Sequence, residues 1–83
     1  MITKTLKVNA PTGLDMGLAG LFCETAMRYR SKITFVVHDN YEANAKSVLS
    51  VLGASVMRGD EIVLTCEGED ESEATAAIEE ILK

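Results

Sequence analysis

The chain has 83 residues, 47% hydrophobic and 25% charged, with a formal net charge of −5. That length suits one domain rather than two, and the composition excludes a disordered chain, which would carry fewer aliphatic residues and more net charge. The acidic balance, with no run of Lys or Arg, excludes broad nucleic-acid binding, whereas a basic protein surface remains a partner that charge would steer.

Residues 2–8 alternate apolar and polar, placing Ile2, Leu6 and Val8 on one face of a half-buried strand. Met1 to Lys7 lacks the apolar centre of a signal peptide, and no stretch reaches the roughly 20 apolar residues of a membrane span, so a cytoplasmic protein with no membrane partner is expected. Asn9-Ala10-Pro11-Thr12-Gly13 is a turn. A helix starts near Asp15, and its spacing puts Leu14, Leu18, Leu21, Phe22, Thr25, Ala26 and Tyr29 on one apolar face. Arg28 and Arg30 follow at its negative end.

Residues 33–37 are β-branched and aromatic and read as a strand. His38-Asp39-Asn40 turns the chain into a short strand at 41–43, completing a hairpin. Residues 47–52 read as a short helix with Ser47 or Asn44 near its start, ended by Gly53-Ala54-Ser55. After a turn at Arg58-Gly59-Asp60, residues 61–67 form a strand with Ile62, Leu64 and Cys66 facing the core. The last helix spans about 71–82, with Ala74, Ala77, Ile78 and Ile81 on its apolar side and the acidic run from Glu67 to Glu73 at its positive end and on its solvent face.

The order is βαββαβα. Its simplest packing is one four-stranded antiparallel sheet with the helices on one face, an α+β architecture with Phe22 and Ile78 packed on Ile62, Leu64 and Cys66. Cys23 and Cys66 lie far apart without CxxC spacing and are expected to be free, buried thiols. His38 has no second ligand nearby, and the chain carries no metal-ligand spacing, catalytic triad or phosphate-cradling glycine loop; no metal, no cofactor and no enzymatic activity are expected.

Several segments carry a resemblance. Asn9-Ala10-Pro11-Thr12-Gly13-Leu14 followed by a helix is similar to the active-site loop of the HPr phosphocarriers of bacterial sugar phosphotransferase systems. Asn44-Ala45-Lys46-Ser47-Val48-Leu49 resembles the regulatory serine segment of that family, and Gly59-Asp60-Glu61-Ile62 and Glu67-Gly68-Glu69-Asp70-Glu71 resemble its last strand and the approach to its last helix. The resemblance spans nearly the whole chain and implies a single HPr-like domain over 1–83, an open-faced sandwich. Against the family pattern, Asp15 stands at the phosphorylated histidine, Gly17 at the arginine and Leu18 at the proline.

The chemistry makes those departures informative. A phosphohistidine carrier needs an imidazole that attacks phosphorus and leaves again near neutral pH. Backbone N–H groups at a helix start and an arginine then hold the phosphate. Asp15 offers three readings. It can cap the helix, which requires no missing partner. It can accept a phosphoryl group as an acyl phosphate, commonly with a divalent metal and a lysine; Lys46 and Lys4 are the lysines considered for that role. It can also imitate the phosphorylated histidine, poorly, since one carboxylate carries less charge than a phosphate.

Ser47 either caps the short helix or, as the resemblance implies, receives phosphate from a regulatory kinase; the loss of arginine at Gly17 weighs against the kinase. The resemblance also places Gly17, Leu18, Val48, Leu49 and Leu52 on a partner-binding face, although some of that cluster must serve the core. The implied function is a non-phosphocarrying, regulatory or protein-binding relative of HPr, some relatives acting in catabolite control. Its implied partners are phosphotransferase-system enzymes, a regulatory kinase or a transcription regulator. The alternative is a phosphocarrier that uses Asp15 or Ser47.

Overall fold

Alternation along the strands builds the sheet. The computed structural model describes residues 1–83 and runs β1 (Ile2–Lys7), α1 (Met16–Met27), β2 (Lys32–Val37), β3 (Tyr41–Asn44), α2 (Val48–Gly53), β4 (Glu61–Glu67) and α3 (Glu71–Leu82). The four strands form one antiparallel sheet in the order β1-β4-β2-β3. The inward residues Leu6, Ile33, Phe35, Val37, Ala43, Ile62, Leu64 and Cys66 are buried beneath the three helices, while Lys4 and Tyr41, in the same alternation on the two outer strands, are exposed. Their neighbours, such as Thr3, Thr5, Lys32, Glu42 and Val63, stand on the uncovered face. Val8 continues the inward pattern one step past β1, fully buried, its N–H donating to Asp60 O at 2.9 Å. Phe22 of α1 meets Phe35 of β2 edge to face, with ring centroids 5.6 Å apart and planes at 75°. Such a pair contributes about 0.5–1.5 kcal/mol beyond burial. Cys23 and Cys66 are both free and buried.

The helices sit rotated from the faces that spacing alone suggests. In α1 the buried residues are Ala19, Phe22, Cys23, Thr25 and Ala26, whereas Leu21 is 47% exposed and Leu18 and Tyr29 lie half-buried at the margin. α1 packs against α3 and α2, with the small Ala19 and Ala26 fully buried and Leu21 facing outward. In α3 the buried stripe is Ala74, Thr75, Ile78 and Leu82, while Ala77 and Ile81 are half-buried. Thr75 tolerates burial because its hydroxyl donates to Glu71 O at 2.8 Å. The short helix also ends differently: Gly53 lies inside its last turn, and the left-handed residue is Ser55, at φ 52. In the β2–β3 hairpin, His38 and Asp39 take positive φ, which lets a three-residue turn close.

The acidic run before α3 also differs from a plain solvent face. Asp70 occupies the N-cap position of α3 without a side-chain cap bond. Its carboxylate instead accepts from Arg30 N at 2.8 Å, Ser31 N at 3.0 Å and the Ser31 hydroxyl, tying the β4–α3 turn to the α1–β2 junction. Gly68 makes this possible, since a Cβ there would lie 2.7 Å from Ser31 Cα. The Ser31 hydroxyl foremost, then the Arg30 N–H, holds the Asp70 carboxyl below its ordinary range. Lys4, whose ammonium lies 2.7 Å from Glu79, does the same for Glu79.

A carboxyl whose folded pKa is depressed binds fewer protons folded than unfolded. Its stabilisation is present above the unfolded value, about pH 4, and fades as pH falls through the lower folded value. Asp70→Asn is expected to melt earlier than wild type at neutral pH, because an amide N–H2 would face an N–H donor. The gap between the two thermal midpoints should then narrow below about pH 4. A gap independent of pH would show that the Asp70 charge does not contribute.

Candidate functional site

The 9–15 loop, the start of α1, the α2 segment and the 56–60 turn meet at one end of the sandwich. Gly13 takes φ +66, donates to Ala10 O at 3.0 Å, and packs directly on the backbone of Val56, Met57 and Arg58. Leu14 is buried and its N–H donates to Val56 O at 3.0 Å, so the loop is pinned on both sides of Gly13. Asp15 then leaves the loop in extended conformation as the N-cap of α1.

Both carboxylate oxygens of Asp15 are engaged. Oδ1 accepts from Leu18 N at 2.9 Å, and Oδ2 accepts from the Thr12 hydroxyl at 2.6 Å. The Thr12 hydroxyl first, and the Leu18 N–H second, hold the Asp15 carboxyl below the ordinary aspartate range, so it stays ionised at neutral pH. The hydrogen bonds that stabilise the anion lower its nucleophilicity toward phosphorus. The two lysines considered as neutralising partners are used elsewhere: Lys46 Nζ donates to Tyr29 O at 2.7 Å, closing the C-terminal end of α1, and Lys4 pairs with Glu79. No group of three or more His, Cys, Asp or Glu side chains converges here or elsewhere in a way that would hold a metal ion.

Asp15 and Leu18 form a matched pair, since a proline at 18 would have no N–H to donate to the cap. Gly17 between them is exposed; a Cβ there would meet only Asp15 Oδ1, at 3.7 Å, so the position is open toward solvent. Thr12, three residues before Asp15, is a partner that sequence reasoning left out. The signal was a hydroxyl at the i−3 position of a capping aspartate.

Ser47 is the N-cap of α2, half-buried, its Oγ accepting from Ser50 N at 3.3 Å. The apolar cluster that follows divides. Val51 is fully buried and Leu52 is half-buried against the core, whereas Val48 is 38% and Leu49 79% exposed. Met16, directly after Asp15, and Met57, against Gly13, are 76% and 61% exposed. These two methionines were not among the residues picked from the sequence, where neither periodicity nor motif separates an exposed methionine from a core one. The structure therefore brings Asp15, Gly17 and Leu18 onto one edge of the helical face and Val48 and Leu49 onto the helix packed beside α1. His38, in the β2–β3 turn, is half-exposed, with Nε2 3.8 Å from Asp60 Oδ2 of the 56–60 turn.

A family model described as "PTS HPr component phosphorylation site" matches residues 2–83. The chain is 37% identical over 78 residues to the HPr-like protein Crh of Halalkalibacterium halodurans, covering 94% of this chain and 92% of that protein. It is 36% identical over 83 residues to the phosphocarrier protein HPr of Treponema pallidum, covering 100% and 93%. Its fold is similar to the crystal structure of HPr-C-His from Thermoanaerobacter tengcongensis, with a TM-score of 0.93 at 32% identity, covering 99% of this chain and 91% of that one.

Proposed function

This chain belongs to the HPr family, and on that premise we propose that it is a non-phosphocarrying, protein-binding regulator within the phosphotransferase system rather than a carrier or an enzyme. The observation that carries this reading is the state of Asp15: one oxygen accepts the cap hydrogen bond from Leu18 N, the other accepts from the Thr12 hydroxyl, and no cation stands within ion-pair distance of it. Asp15 at the position of the phosphorylated histidine acts as a structural cap that keeps the loop in shape. The similarity to Crh of Bacillus subtilis, described as a catabolite repression HPr, at 30% identity and a TM-score of 0.72, supports a role in catabolite control. The docking face on this reading comprises Gly17 and Leu18 with the exposed Val48 and Leu49 and the margin of Leu52, and its partners are phosphotransferase-system enzymes or a transcription regulator.

A second reading concerns Ser47. Its hydroxyl stands at the start of α2, beside Val48 and Leu49, so a phosphate placed there by a regulatory kinase would add charge at the rim of that docking face.

Incubated with phosphoenolpyruvate and enzyme I, the protein is expected to gain no acid-labile, base-stable phosphate. Stoichiometric phosphohistidine, on His38 or elsewhere, would overturn the proposal. The docking face has its own test. Leu49→Ser should change stability by no more than about 0.5 kcal/mol, as an exposed site allows. The same change should weaken partner binding by about tenfold, the cost of an apolar anchor worth roughly 1.4 kcal/mol. Partner binding equal to wild type would remove Leu49 from the interface.

A further inference from the structure

The chain holds eight Lys and Arg residues. Lys4, Arg28 and Lys83 each lie within ion-pair distance of a carboxylate, leaving Lys7, Arg30, Lys32, Lys46 and Arg58 without one. Three of those five, Arg30, Lys32 and Lys46, line a single depression of about 570 Å³, which also exposes Thr34, Glu42 and Ser50. No residue of the 9–15 loop or of α1 lines it, and it lies where the uncovered face of the sheet meets the free edge of β3.

The fold assembles this cluster. Lys32 and Thr34 alternate with the buried Ile33 and Phe35, so both stand on the uncovered face of β2. Glu42 stands on that face of β3, whose Asn44 pairs with Thr34. The edge-facing N–H of Asn44 donates to Ser50 Oγ at 2.9 Å, which brings α2 against the strand edge. The backbone of Arg30 is held by Asp70 at 2.8 Å, and that of Lys46 by Asn44 Oδ1 at 3.0 Å. Two of the cations thus spring from fixed backbone, which reduces the ordering cost of binding.

Glu42 lines the same depression, but no carboxylate lies within ion-pair distance of Arg30, Lys32 or Lys46, so an anion seated among the three cations relieves their mutual repulsion. The donors suit a phosphoryl group. Arg30 offers a guanidinium fork, Lys46 keeps two N–H groups after serving Tyr29 O, and Ser50 Oγ, already an acceptor, has its proton to give. Glu42 has the opposite character. It accepts only, so it disfavours a second anionic group on the ligand and takes hydrogen bonds from hydroxyls.

From this we infer that the depression binds a small phosphorylated polyol, its phosphoryl group held by Arg30, Lys32 and Lys46 and its hydroxyls by Glu42 and Thr34. Because Ser50 N also donates to Ser47 Oγ, a ligand there touches the helix turn that carries Ser47.

The test is a titration of the full chain with glycerol 3-phosphate, inorganic phosphate and glycerol, followed through backbone amide chemical shifts. Saturable shifts are expected at Lys32, Thr34, Asn44, Lys46 and Ser50, with a Kd on the order of 0.1–1 mM. Shifts at Lys7 and Arg58 should be absent, inorganic phosphate should bind about threefold or more weakly, and glycerol should not bind. The side chains of Arg30 and Lys32 make no hydrogen bond within the chain. The R30A/K32A variant should therefore melt like wild type and bind about tenfold or more weakly. The K7A/R58A variant should bind as wild type does. E42Q offers a second handle, bringing glycerol 3-phosphate and inorganic phosphate closer in affinity. Absence of saturation up to about 10 mM would overturn the inference. So would equal shifts at Lys7 and Arg58, equal affinity for inorganic phosphate, or undiminished binding by R30A/K32A.

Discussion

Gly13→Ala is expected to lower the thermal midpoint by about 12–24 °C, at about 4–8 °C per kcal/mol for a domain of this size. Two costs add. The residue sits at φ +66, where any side chain is strained by about 1 kcal/mol. A Cβ would also lie 2.4 Å from Val56 O and 2.8 Å from Met57 Cα. Those are backbone atoms, with no flexible side-chain end to yield, so the 56–60 turn must move and the Leu14 N–H to Val56 O bond must stretch. Losing that bond and repacking around Leu14 bring the total to about 3 kcal/mol. Gly20→Ala provides the contrast: it lies inside α1 with open space at the Cβ position, and alanine should stabilise it by up to about 1 kcal/mol. Circular-dichroism melts of the two variants decide the matter. A Gly13→Ala midpoint within a degree or two of wild type would mean that the loop is not locked to the 56–60 turn.

Asp15→His alone is expected to leave phosphoryl transfer from enzyme I close to background, while Asp15→His, Gly17→Arg, Leu18→Pro together should exceed it by on the order of a hundredfold. The single change returns a nucleophile without a cation to stabilise the transferring group. Arginine at 17 has room, because only Asp15 Oδ1 lies near the Cβ position, and its fork supplies charge-assisted bonds to the phosphoryl oxygens. Glycine there also loosens the first helical turn by about 1 kcal/mol relative to alanine, blurring the N–H groups that would face the phosphate. Proline at 18 removes the N–H that Asp15 now uses, but with histidine at 15 that donor has no cap to serve. Rapid-quench transfer from phosphorylated enzyme I measures both variants, with melts confirming that each is folded. If the single variant matched the triple one, Asp15 would be the only defect, and the changes at 17 and 18 would be incidental.

Much of this molecule follows from local rules. The strand at 61–67 was legible because Ile62, Leu64 and Cys66 alternate with Glu61, Thr65 and Glu67, with Val63 the one apolar residue on the other face, and a period of two has one interpretation when one face is buried. Asp15 and Ser47 were legible as caps because side-chain oxygens at helix starts satisfy N–H groups two or three residues on, wherever the helix lies. The outward or inward choice among Leu21, Val48 and Leu49 was not legible. A helix with apolar residues around much of its circumference has several faces it can bury, and only the neighbouring helices and strands select one. The role of Asp70 was hidden for a related reason: its three donors lie 39 and 40 residues away at Arg30 and Ser31, and a carboxylate in an acidic run looks solvated until the chain returns beside it. The basic depression is of the same kind, since Arg30, Lys32 and Lys46 belong to separate segments that join only when β3 pairs with β2 and α2 closes over its edge. Sequence by itself determined the order of the elements, the inward strand residues and the caps, because those depend on interactions within a turn or two of chain. Tertiary structure alone decided which helix faces are free, which charges are paired and where unpaired cations gather, because those depend on distances between segments that the chain order does not encode.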